Sequence, residues 1–263
     1  MLSPPIVVKI GGSTLGNHDT SLRDLVALQQ QGINVVVVHG GGNVISDWMQ
    51  RQGIAPHFVN GLRVTDAPSL DIVVAVLTGL VNKALVSQLQ EIGGTSMGIS
   101  GIDGGLIEAY IAKPELGFVG DVAKVDINPL LSILKAGYIP MVAPVAIHQL
   151  DGSEHSGKPL NINGDTVAGE IARALGAKRL IFLTDVPGIM DGNGRVLKHL
   201  DKRRANILLN SDIISGGMIP KLDACLRAIE TSEYAEIIDG RHPEALLNCV
   251  NGESDGTRIV NRF

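Results

Sequence analysis

Six short apolar runs recur along the chain, at positions 5–10, 34–39, 96–100, 139–145, 179–184 and 235–240. Most of them are continuous and rich in valine and isoleucine, whereas a strand with one face in solvent would alternate apolar and polar residues. Continuous runs of this length are typical of strands that are covered on both faces. The pattern therefore predicts buried parallel strands.

Segments with helical signals lie between these runs, at positions 22–31, 43–52, 69–92, 128–137, 165–175 and 220–231. Several end at a glycine, and Asn128-Pro129 has the form of a helix cap followed by a first-turn proline. Alternating strands and helices predict a mostly parallel sheet with helices on both faces. The polar segment 151–159 is expected to form a hairpin or excursion. Since no proline- or serine-rich linker divides the chain, two lobes that share one sheet are favoured over two separate domains.

The overall composition narrows the class of protein. The chain has 263 residues, 44% of them apolar, and a formal net charge of −5. It therefore has a globular composition and no electrostatic reason to bind nucleic acid or an anionic membrane. The longest apolar candidate, at 72–81, is far shorter than the roughly 18 residues of a membrane span, and the N-terminus lacks the pattern of a signal peptide. The two cysteines, Cys225 and Cys249, show no metal-ligand spacing. With no signal peptide and so few cysteines, a cytoplasmic protein with reduced thiols is expected.

Glycine clusters give the first indication of chemistry. They are Gly11-Gly12, Gly40-Gly41-Gly42 and Gly216-Gly217, each interpreted as a junction between a strand and a helix. Glycine lets backbone N–H groups approach a ligand closely, and the start of a helix adds the positive end of its dipole. Lys9 precedes the first cluster and Lys221 follows the third. The combination predicts a phosphate-binding site rather than three plain turns.

Two motif matches fail in their context. Segment 152–159 falls short of a Walker A motif, because Pro159 stands where a magnesium-binding hydroxyl is needed and no helix is expected to follow. Segment 94–98 matches the string of a nucleophile elbow, but it precedes a predicted strand, so Ser96 is interpreted as a strand residue. The dinucleotide fingerprint G-x-G-x-x-G does not follow any predicted strand. His39 is expected to end a strand.

Three further polar residues are candidates for a site. Asp165 comes just before a predicted helix, where it is either the N-cap or a carboxylate that holds two lysines in position. Asp185 follows the strand at 179–184, at the edge where open α/β sheets bind ligands. Arg63 carries a planar fork that suits a carboxylate, although a loop arginine is more often solvated.

Taken together, the motifs resemble those of the amino-acid kinase family. KIGGS, HGGG, NGLRVTD, NINGD, TDVPGI and GGMIPK occur in this order over nearly the whole chain. Within that family they are most similar to the members that phosphorylate N-acetyl-L-glutamate in arginine biosynthesis. The resemblance implies a three-layer αβα sandwich, with an amino-acid-binding and dimerising lobe at 1–175 and an ATP-binding lobe at 176–263. It also implies transfer of the γ-phosphoryl group of ATP to a side-chain carboxylate, with Mg²⁺ bound mainly through the ATP phosphates.

The resemblance assigns a role to each motif residue. Lys9 and Lys221 would stabilise the transferring phosphoryl group, and Asp165 would organise them. The residues that would bind the acceptor are Gly41, Gly42, Arg63 and Asn161. Those that would bind the nucleotide are Gly11, Gly12, Asp185, Gly188, Ile213 and Ser215. No side chain is predicted to hold a metal directly, and an ionised acceptor carboxylate needs no general base.

Two alternatives stay open at this point. A related kinase takes aminoadipate from a small acidic carrier protein in lysine biosynthesis, and a non-catalytic regulatory protein can keep the same fold. The presence of Lys9, Lys221 and Asp165 counts against the second alternative. Family members inhibited by arginine carry an extra N-terminal helix, for which a strand that begins near Pro5 leaves no room. A homodimer insensitive to arginine is therefore expected, with the helix at 69–92 as the candidate dimer contact.

Overall fold

The computed structural model describes residues 3–11, 20–59, 61–149, 152–211 and 213–262. Over these residues the strands are β1 Ile6–Ile10, β2 Val35–His39, β3 Phe58–Val59, β4 Leu62–Arg63, β5 Ser96–Ser100, β6 Ile107–Tyr110, β7 Val119–Val125, β8 Ile139–Ala143, β9 Val145–His148, β10 Pro159–Ile162, β11 Arg179–Thr184, β12 His199–Asp201, β13 Tyr234–Asp239 and β14 Thr257–Val260. The six apolar runs all form strands. The run at 139–145 is divided between β8 and β9 at Pro144, a residue that cannot donate a backbone hydrogen bond.

Over the same residues the α-helices are α1 Ser21–Gln30, α2 Gly42–Arg51, α3 Ala67–Val74, α4 Asn82–Glu91, α5 Asn128–Lys135, α6 Gly164–Leu175, α7 Lys202–Leu209, α8 Met218–Ala228 and α9 Ala245–Asn251. A π-helical segment, Ala75–Val81, joins α3 to α4. The six predicted helical segments are confirmed. The sequence patterns did not predict the helices α7 and α9, nor the strands β3, β4, β6, β7, β10, β12 and β14.

The central sheet has eight strands in the order β12-β14-β13-β11-β1-β2-β8-β5. Its described pairings are parallel except for the antiparallel pair β13 and β14. Successive residues of β1 enter separate cores on the two faces: Val7 packs into one, and Ile6 and Val8 into the other. Both faces of the sheet are thus covered, which is why its strands carry continuous apolar runs. The predicted αβα sandwich is confirmed.

A small closed sheet, in the order β10-β7-β6-β9, stands beside the carboxyl edge of the main sheet. Strands β9 and β10 pair antiparallel, with Pro159 opposite Ile147. The segment between them was predicted to be a hairpin or excursion, and the pairing shows that it is a hairpin. Strand β10 leads directly into α6, so the small sheet fixes the start of that helix next to the end of β1.

The helical stretch Ala67–Glu91 is longer than the apolar segment noted in the sequence. It spans 25 residues and contains an 18-residue window with a mean hydropathy of 1.8, so by length and composition alone it is able to cross a membrane. Core helices of soluble proteins pass the same test, and here 44% of the apolar window is buried inside the molecule. The stretch packs against β5 and β8, and it carries the fully buried amide side chain of Asn82.

Two helix starts differ from the sequence-based expectation. Gly216-Gly217 follow α7 and precede α8, so the prediction that they join a strand to a helix is wrong. The element that precedes them is the helix α7, which the sequence patterns did not predict. Asn128 was predicted to cap α5 but is its first helical residue. The backbone N–H of Asn128 donates to Oδ1 of Asp126 at 3.0 Å, so the oxygen that satisfies this N–H comes from the side chain two residues earlier.

Candidate active site

A cavity of about 220 Å³ opens at the carboxyl ends of β1 and β2, beside the small sheet. Parallel strands end at one edge of a sheet, so their terminal residues and the following loops meet there. Among the residues that line the cavity are seven named from the sequence: Lys9, Gly40, Gly41, Gly42, Arg63, Asn161 and Asp165. These residues come from β1, the start of α2 and the loop before it, β4, β10 and α6.

A carboxylate lies between two lysines at the edge of this cavity. The Lys9 ammonium is 2.7 Å from Oδ1 of Asp165, and the Lys221 ammonium is 3.1 Å from Oδ2. Lys221 also donates to the carbonyl of Gly217 at 3.1 Å. The side chains of Lys9, Asp165 and Lys221 are only 9%, 6% and 18% exposed. The three form a buried charged group with a net charge of +1, which suits an anionic ligand.

Asp165 stays ionised in this environment. Its burial raises the pKa of the carboxyl, but the charges of Lys9 and Lys221 and their hydrogen bonds outweigh that effect and hold the pKa below its usual range. The carboxylate in turn fixes the two ammonium groups relative to each other. Charged groups that are held in advance stabilise a developing charge without reorganising during the reaction.

The N-cap of α6 decides between the two interpretations of Asp165. Asn163 Oδ1 accepts hydrogen bonds from the backbone N–H groups of Asp165, at 2.8 Å, and Thr166, at 3.1 Å. Asn163 is therefore the N-cap, and of the two interpretations of Asp165 the one that makes it the cap is wrong. Because Asn163 satisfies the helix end, the carboxylate of Asp165 is available for the lysines.

Arg63 lines the cavity and also anchors the glycine loop, the segment Gly40-Gly41-Gly42. Its Nη2 donates to the carbonyl of Gly42 and to Oγ of Ser46, both at 2.9 Å, and its guanidinium carbon lies 4.6 Å from the centre of the Phe58 ring. Arg63 is buried, with 7% of its surface exposed, and this burial lowers the pKa of its guanidinium. No pattern in the sequence predicts the contact with Gly42, because it joins a β-strand to the start of α2, 21 positions earlier.

Asn161 is oriented by a residue that the sequence analysis did not single out. Its Nδ2 donates to Oγ1 of Thr65 at 3.1 Å, and that hydroxyl donates in turn to the carbonyl of Arg63 at 3.2 Å. Thr65 is fully buried. The chain of hydrogen bonds ties both acceptor-binding candidates, Asn161 and Arg63, to one rigid segment. Thr65 lies in the NGLRVTD motif, so its position within that motif was the available signal.

The residues predicted to bind the nucleotide do not line this cavity. Asp185 is exposed just after β11, and Ile213 and Ser215 are exposed in the segment between α7 and α8. Gly188 is buried with φ at 150°, and a Cβ there would lie 2.7 Å from Oγ1 of Thr257, so close packing against β14 accounts for the glycine. Their contact with a nucleotide stays a prediction.

The first glycine pair is only partly described. The backbone N–H of Gly11 points to the carbonyl of Leu183, at the long distance of 3.4 Å. Gly12 lies outside the described residues. The expectation that both present N–H groups to phosphate therefore stays a prediction.

The side chains at the cavity do not form a magnesium cage. Within the described ranges, which omit 12–19 and a few shorter segments, no group of three or more histidine, cysteine, aspartate or glutamate side chains is placed to hold a metal. Both oxygens of Asp165 are taken up by ammonium groups. Since Mg²⁺ needs several oxygen ligands, these residues do not fit a metal bound by protein alone.

Comparisons with known proteins agree with this geometry. The model of the amino acid kinase family matches residues 4–239. The chain is 44% identical to an acetylglutamate kinase of Dehalococcoides mccartyi over 257 residues, covering 98% of this chain and 94% of that protein. It is 46% identical to an acetylglutamate kinase of Nostoc over 250 residues, covering 92% and 82%.

Solved structures share the fold over nearly the whole chain. The Streptococcus mutans protein smu.665 superposes with a TM-score of 0.82 at 27% identity and covers 97% of this chain and 98% of its own. Carbamate kinase of Giardia lamblia superposes with a TM-score of 0.72 at 15% identity, covers 98% of each chain and shows the fold alone. The resemblance noted in the six motifs is confirmed: the chain is a member of the amino acid kinase family.

Proposed function

We propose that this enzyme transfers the γ-phosphoryl group of ATP to the side-chain carboxylate of N-acetyl-L-glutamate, giving N-acetylglutamyl 5-phosphate. The observation that carries the proposal is the pair of ammonium groups, Lys9 and Lys221, held across Asp165 at the edge of a cavity lined by Gly41, Gly42 and Arg63. Relatives at 44% and 46% identity carry the name acetylglutamate kinase, which supports the choice of acceptor.

The chemistry requires positioning rather than proton transfer. A carboxylate oxygen of the acceptor forms a bond to the γ-phosphorus while the bond from that phosphorus to the β–γ bridging oxygen breaks, and ADP leaves. The acceptor is already ionised at neutral pH, so no base is needed. The two ammonium groups offset charge on the equatorial and bridging oxygens. Asp165 keeps them at the distances that this requires.

The acceptor would occupy the 220 Å³ cavity, with one carboxylate near Arg63 and Asn161 and the other facing the glycine loop. The first lobe, 1–175, supplies these residues together with Lys9 and Asp165, and the second lobe, 176–263, supplies Lys221. The phosphoryl group would therefore move at the junction of the lobes. This division of the chain is part of the proposal.

The nucleotide would lie along the carboxyl edge of the second lobe. Its proposed contacts there are Gly11, Gly12, Asp185, Gly188, Ile213 and Ser215. We propose that Mg²⁺ arrives on the phosphate oxygens of ATP and keeps water in its remaining positions, because among the described residues that line the cavity the one carboxylate, that of Asp165, is paired with Lys9 and Lys221.

Substrate specificity tests the proposal directly. Purified protein is supplied with ATP and Mg²⁺, and the acyl phosphate is trapped with hydroxylamine while ADP is measured. We expect turnover with N-acetyl-L-glutamate. With L-glutamate, which lacks the acyl group, or with UMP, which tests a nucleotide as the acceptor, we expect at most trace turnover. Equal turnover with L-glutamate would contradict a pocket selective for the acylated substrate. Failure with all three, followed by activity on a carrier-protein-linked aminoadipate, would assign the enzyme to that alternative, and failure with this substrate as well would favour a non-catalytic role.

We also propose a cytoplasmic homodimer whose contact is the exposed face of the stretch Ala67–Glu91. Ile72, Ala75 and Leu80 are at least partly exposed on this apolar helix, beside Trp48. A second copy of the chain is the proposed occupant, since an apolar surface of this kind is unfavourable in water. The exposed residues Leu80 and Ile207, 45% and 60% accessible, provide a matched pair of substitutions.

Leu80→Asp is expected to convert the dimer to monomer in sedimentation equilibrium, because a carboxylate would be buried without a partner. Ile207→Asp, on α7, is expected to leave the dimer unchanged. A monomeric wild-type protein, or one that requires lipid vesicles to remain in solution, would contradict the proposed dimer.

A further inference from the structure

Two polar side chains that the proposed chemistry does not use lie directly beneath the glycine loop. His39 is the last residue of β2, and Asn82 is the first residue of α4. Both are fully buried. A buried polar group carries a desolvation cost unless its hydrogen bonds are satisfied, so the partners of these two side chains are informative.

The surroundings of Asn82 determine which way its amide points. Its Nδ2 lies 2.8 Å from the carbonyl of Met141 and 3.0 Å from Nε2 of His39, while its Oδ1 lies 3.0 Å from the ammonium of Lys83. A carbonyl only accepts and an ammonium only donates. Nδ2 must therefore face Met141. Of the two other acceptors near it, Nε2 of His39 at 3.0 Å is closer than the carbonyl of Ile99 at 3.4 Å, so the second hydrogen is donated to His39.

This orientation fixes the tautomer of His39. Since Nε2 accepts from Asn82, the proton of the neutral ring resides on Nδ1. Nδ1 lies 2.8 Å from the carbonyl oxygen of Gly40 and donates to it. Burial, together with the smaller effect of the charges of Lys9 and Lys83, lowers the pKa of His39 to about 4, although the hydrogen bond to Gly40 acts to raise it. The ring is therefore neutral at pH 7, as the acceptor role of Nε2 requires.

The contact with Gly40 controls the next N–H group along the chain. The carbonyl of Gly40 and the N–H of Gly41 belong to one planar trans peptide, in which the two point in opposite directions. Because the carbonyl is held by the buried ring of His39, the N–H of Gly41 is directed to the other side. Gly41 lines the acceptor cavity and His39 does not.

The helical stretch also packs directly on this peptide. A Cβ on Gly41 would lie 2.7 Å from Cδ2 of Leu77 and 3.3 Å from Cγ2 of Val81, both in the π-helical segment. That segment ends immediately before Asn82. The helical stretch Ala67–Glu91 thus supports the glycine loop in two ways. It packs closely against Gly41, and its residue Asn82 is hydrogen-bonded to His39, which in turn donates to the carbonyl of Gly40.

We propose that His39 and Asn82 are positioning residues, which hold the Gly40–Gly41 peptide so that the N–H of Gly41 faces the phosphoryl acceptor. The kinetic part of this inference rests on the proposed function. A hydrogen bond to the Gly40 carbonyl also polarises the peptide and makes the Gly41 N–H a better donor. Neither side chain touches substrate, so loss of the pair is expected to affect kcat and the KM for the acceptor, and to leave the KM for ATP unchanged.

Two substitutions of His39 separate its two ring nitrogens. In His39→Asn the side-chain amide nitrogen takes the place of Nδ1 and can still donate to Gly40. In His39→Gln the amide reaches the place of Nε2 and the donor to Gly40 is lost. We expect kcat to fall by about 10–100-fold in His39→Gln, because removal of a donor to a reacting oxygen causes a loss of this order or larger. In His39→Asn we expect kcat to fall by less than about threefold. His199→Gln, at an exposed position on β12, is the control and is expected to match wild type.

Thermal unfolding of the same variants separates positioning from stability, since both substitutions at His39 remove packing. Equal losses of kcat in His39→Asn and His39→Gln, or wild-type kcat in His39→Gln, would overturn the proposal.

Asn82→Leu, which keeps the volume but removes the amide, is expected to lower kcat to a similar extent as His39→Gln.

A measurement on the unmodified protein tests the geometry without relying on activity. The ¹⁵N spectrum of the imidazole of His39 at pH 7 should show a protonated Nδ1 and an unprotonated Nε2, and Asn82→Leu should disturb that pattern. A proton on Nε2 in the wild-type protein would overturn the proposal. If the wild type fails to phosphorylate N-acetyl-L-glutamate, the proposed function fails, and the spectrum still decides whether the hydrogen-bond chain exists.

Discussion

Replacement of Asp165 by asparagine is expected to remove turnover and to destabilise the folded protein by about 3 kcal/mol. The carboxylate is 6% exposed and neutralises Lys9 and Lys221 at 2.7 and 3.1 Å. Asparagine has nearly the same shape but no charge, so two ammonium groups would face each other without a counterion. Loss of a single partner from a buried ion pair is costly for this reason. Urea denaturation at pH 7 measures the change in the free energy of unfolding.

The pH dependence of that difference provides a further check. The pKa of Asp165 in the folded protein is below its ordinary value of 3.8, so its contribution to stability is complete above that value and is lost as the pH falls through the lowered pKa. The two proteins should therefore approach each other in stability in acid. Asp223→Asn on α8 is the matched control, because its carboxylate is 45% exposed and pairs with Arg227 at the surface. An Asp165→Asn protein as stable as Asp223→Asn at pH 7 would contradict the structural role.

Replacement of Lys221 by alanine is expected to lower kcat by about 10²–10³-fold, by analogy with the loss of one stabilising donor in other enzymes. Lys221 lies on α8, and its ammonium approaches Asp165 at the edge of the cavity. Its ammonium is proposed to act on charge that develops during transfer. For that reason kcat should fall more than the affinity for N-acetyl-L-glutamate, as measured by steady-state kinetics with hydroxylamine trapping.

Stability should respond much less to this change than to the loss of Asp165. Lys221→Ala leaves Asp165 paired with Lys9, so the buried carboxylate still has a counterion. Lys135→Ala, at the exposed end of α5, is the control for the loss of a lysine and is expected to keep full activity. A Lys221→Ala enzyme with kcat within about threefold of wild type would remove the lysine from the proposed chemistry.

The strands of the main sheet were predictable because burial on both faces leaves a local trace. The runs at 179–184 and 34–39 contain four successive apolar residues each, at 180–183 and 35–38, and each run forms a strand within one residue of its expected bounds. Strands β6 and β7 of the small sheet leave no such trace, since β7 alternates buried and exposed residues irregularly. Helix α7 was missed for a related reason: half of its residues carry charged or amide side chains, and of its residues only Ala205 and Leu208 are buried.

The sequence by itself determined the family, the parallel sheet and the residue types of a phosphate-binding site, because these depend on short motifs and on periodicity within one element. Only the tertiary structure decided which residues meet. Asp165 and Lys221 are 56 positions apart, and His39 and Asn82 are 43 apart. The hold of Arg63 on Gly42 likewise depends on how separate elements are packed, whereas the cap of α6 by Asn163 and the hydrogen bond from His39 to Gly40 join residues at most three positions apart. A hydrogen bond requires two atoms within about 3 Å, and a distance of that kind between remote residues is set by the path of the whole chain.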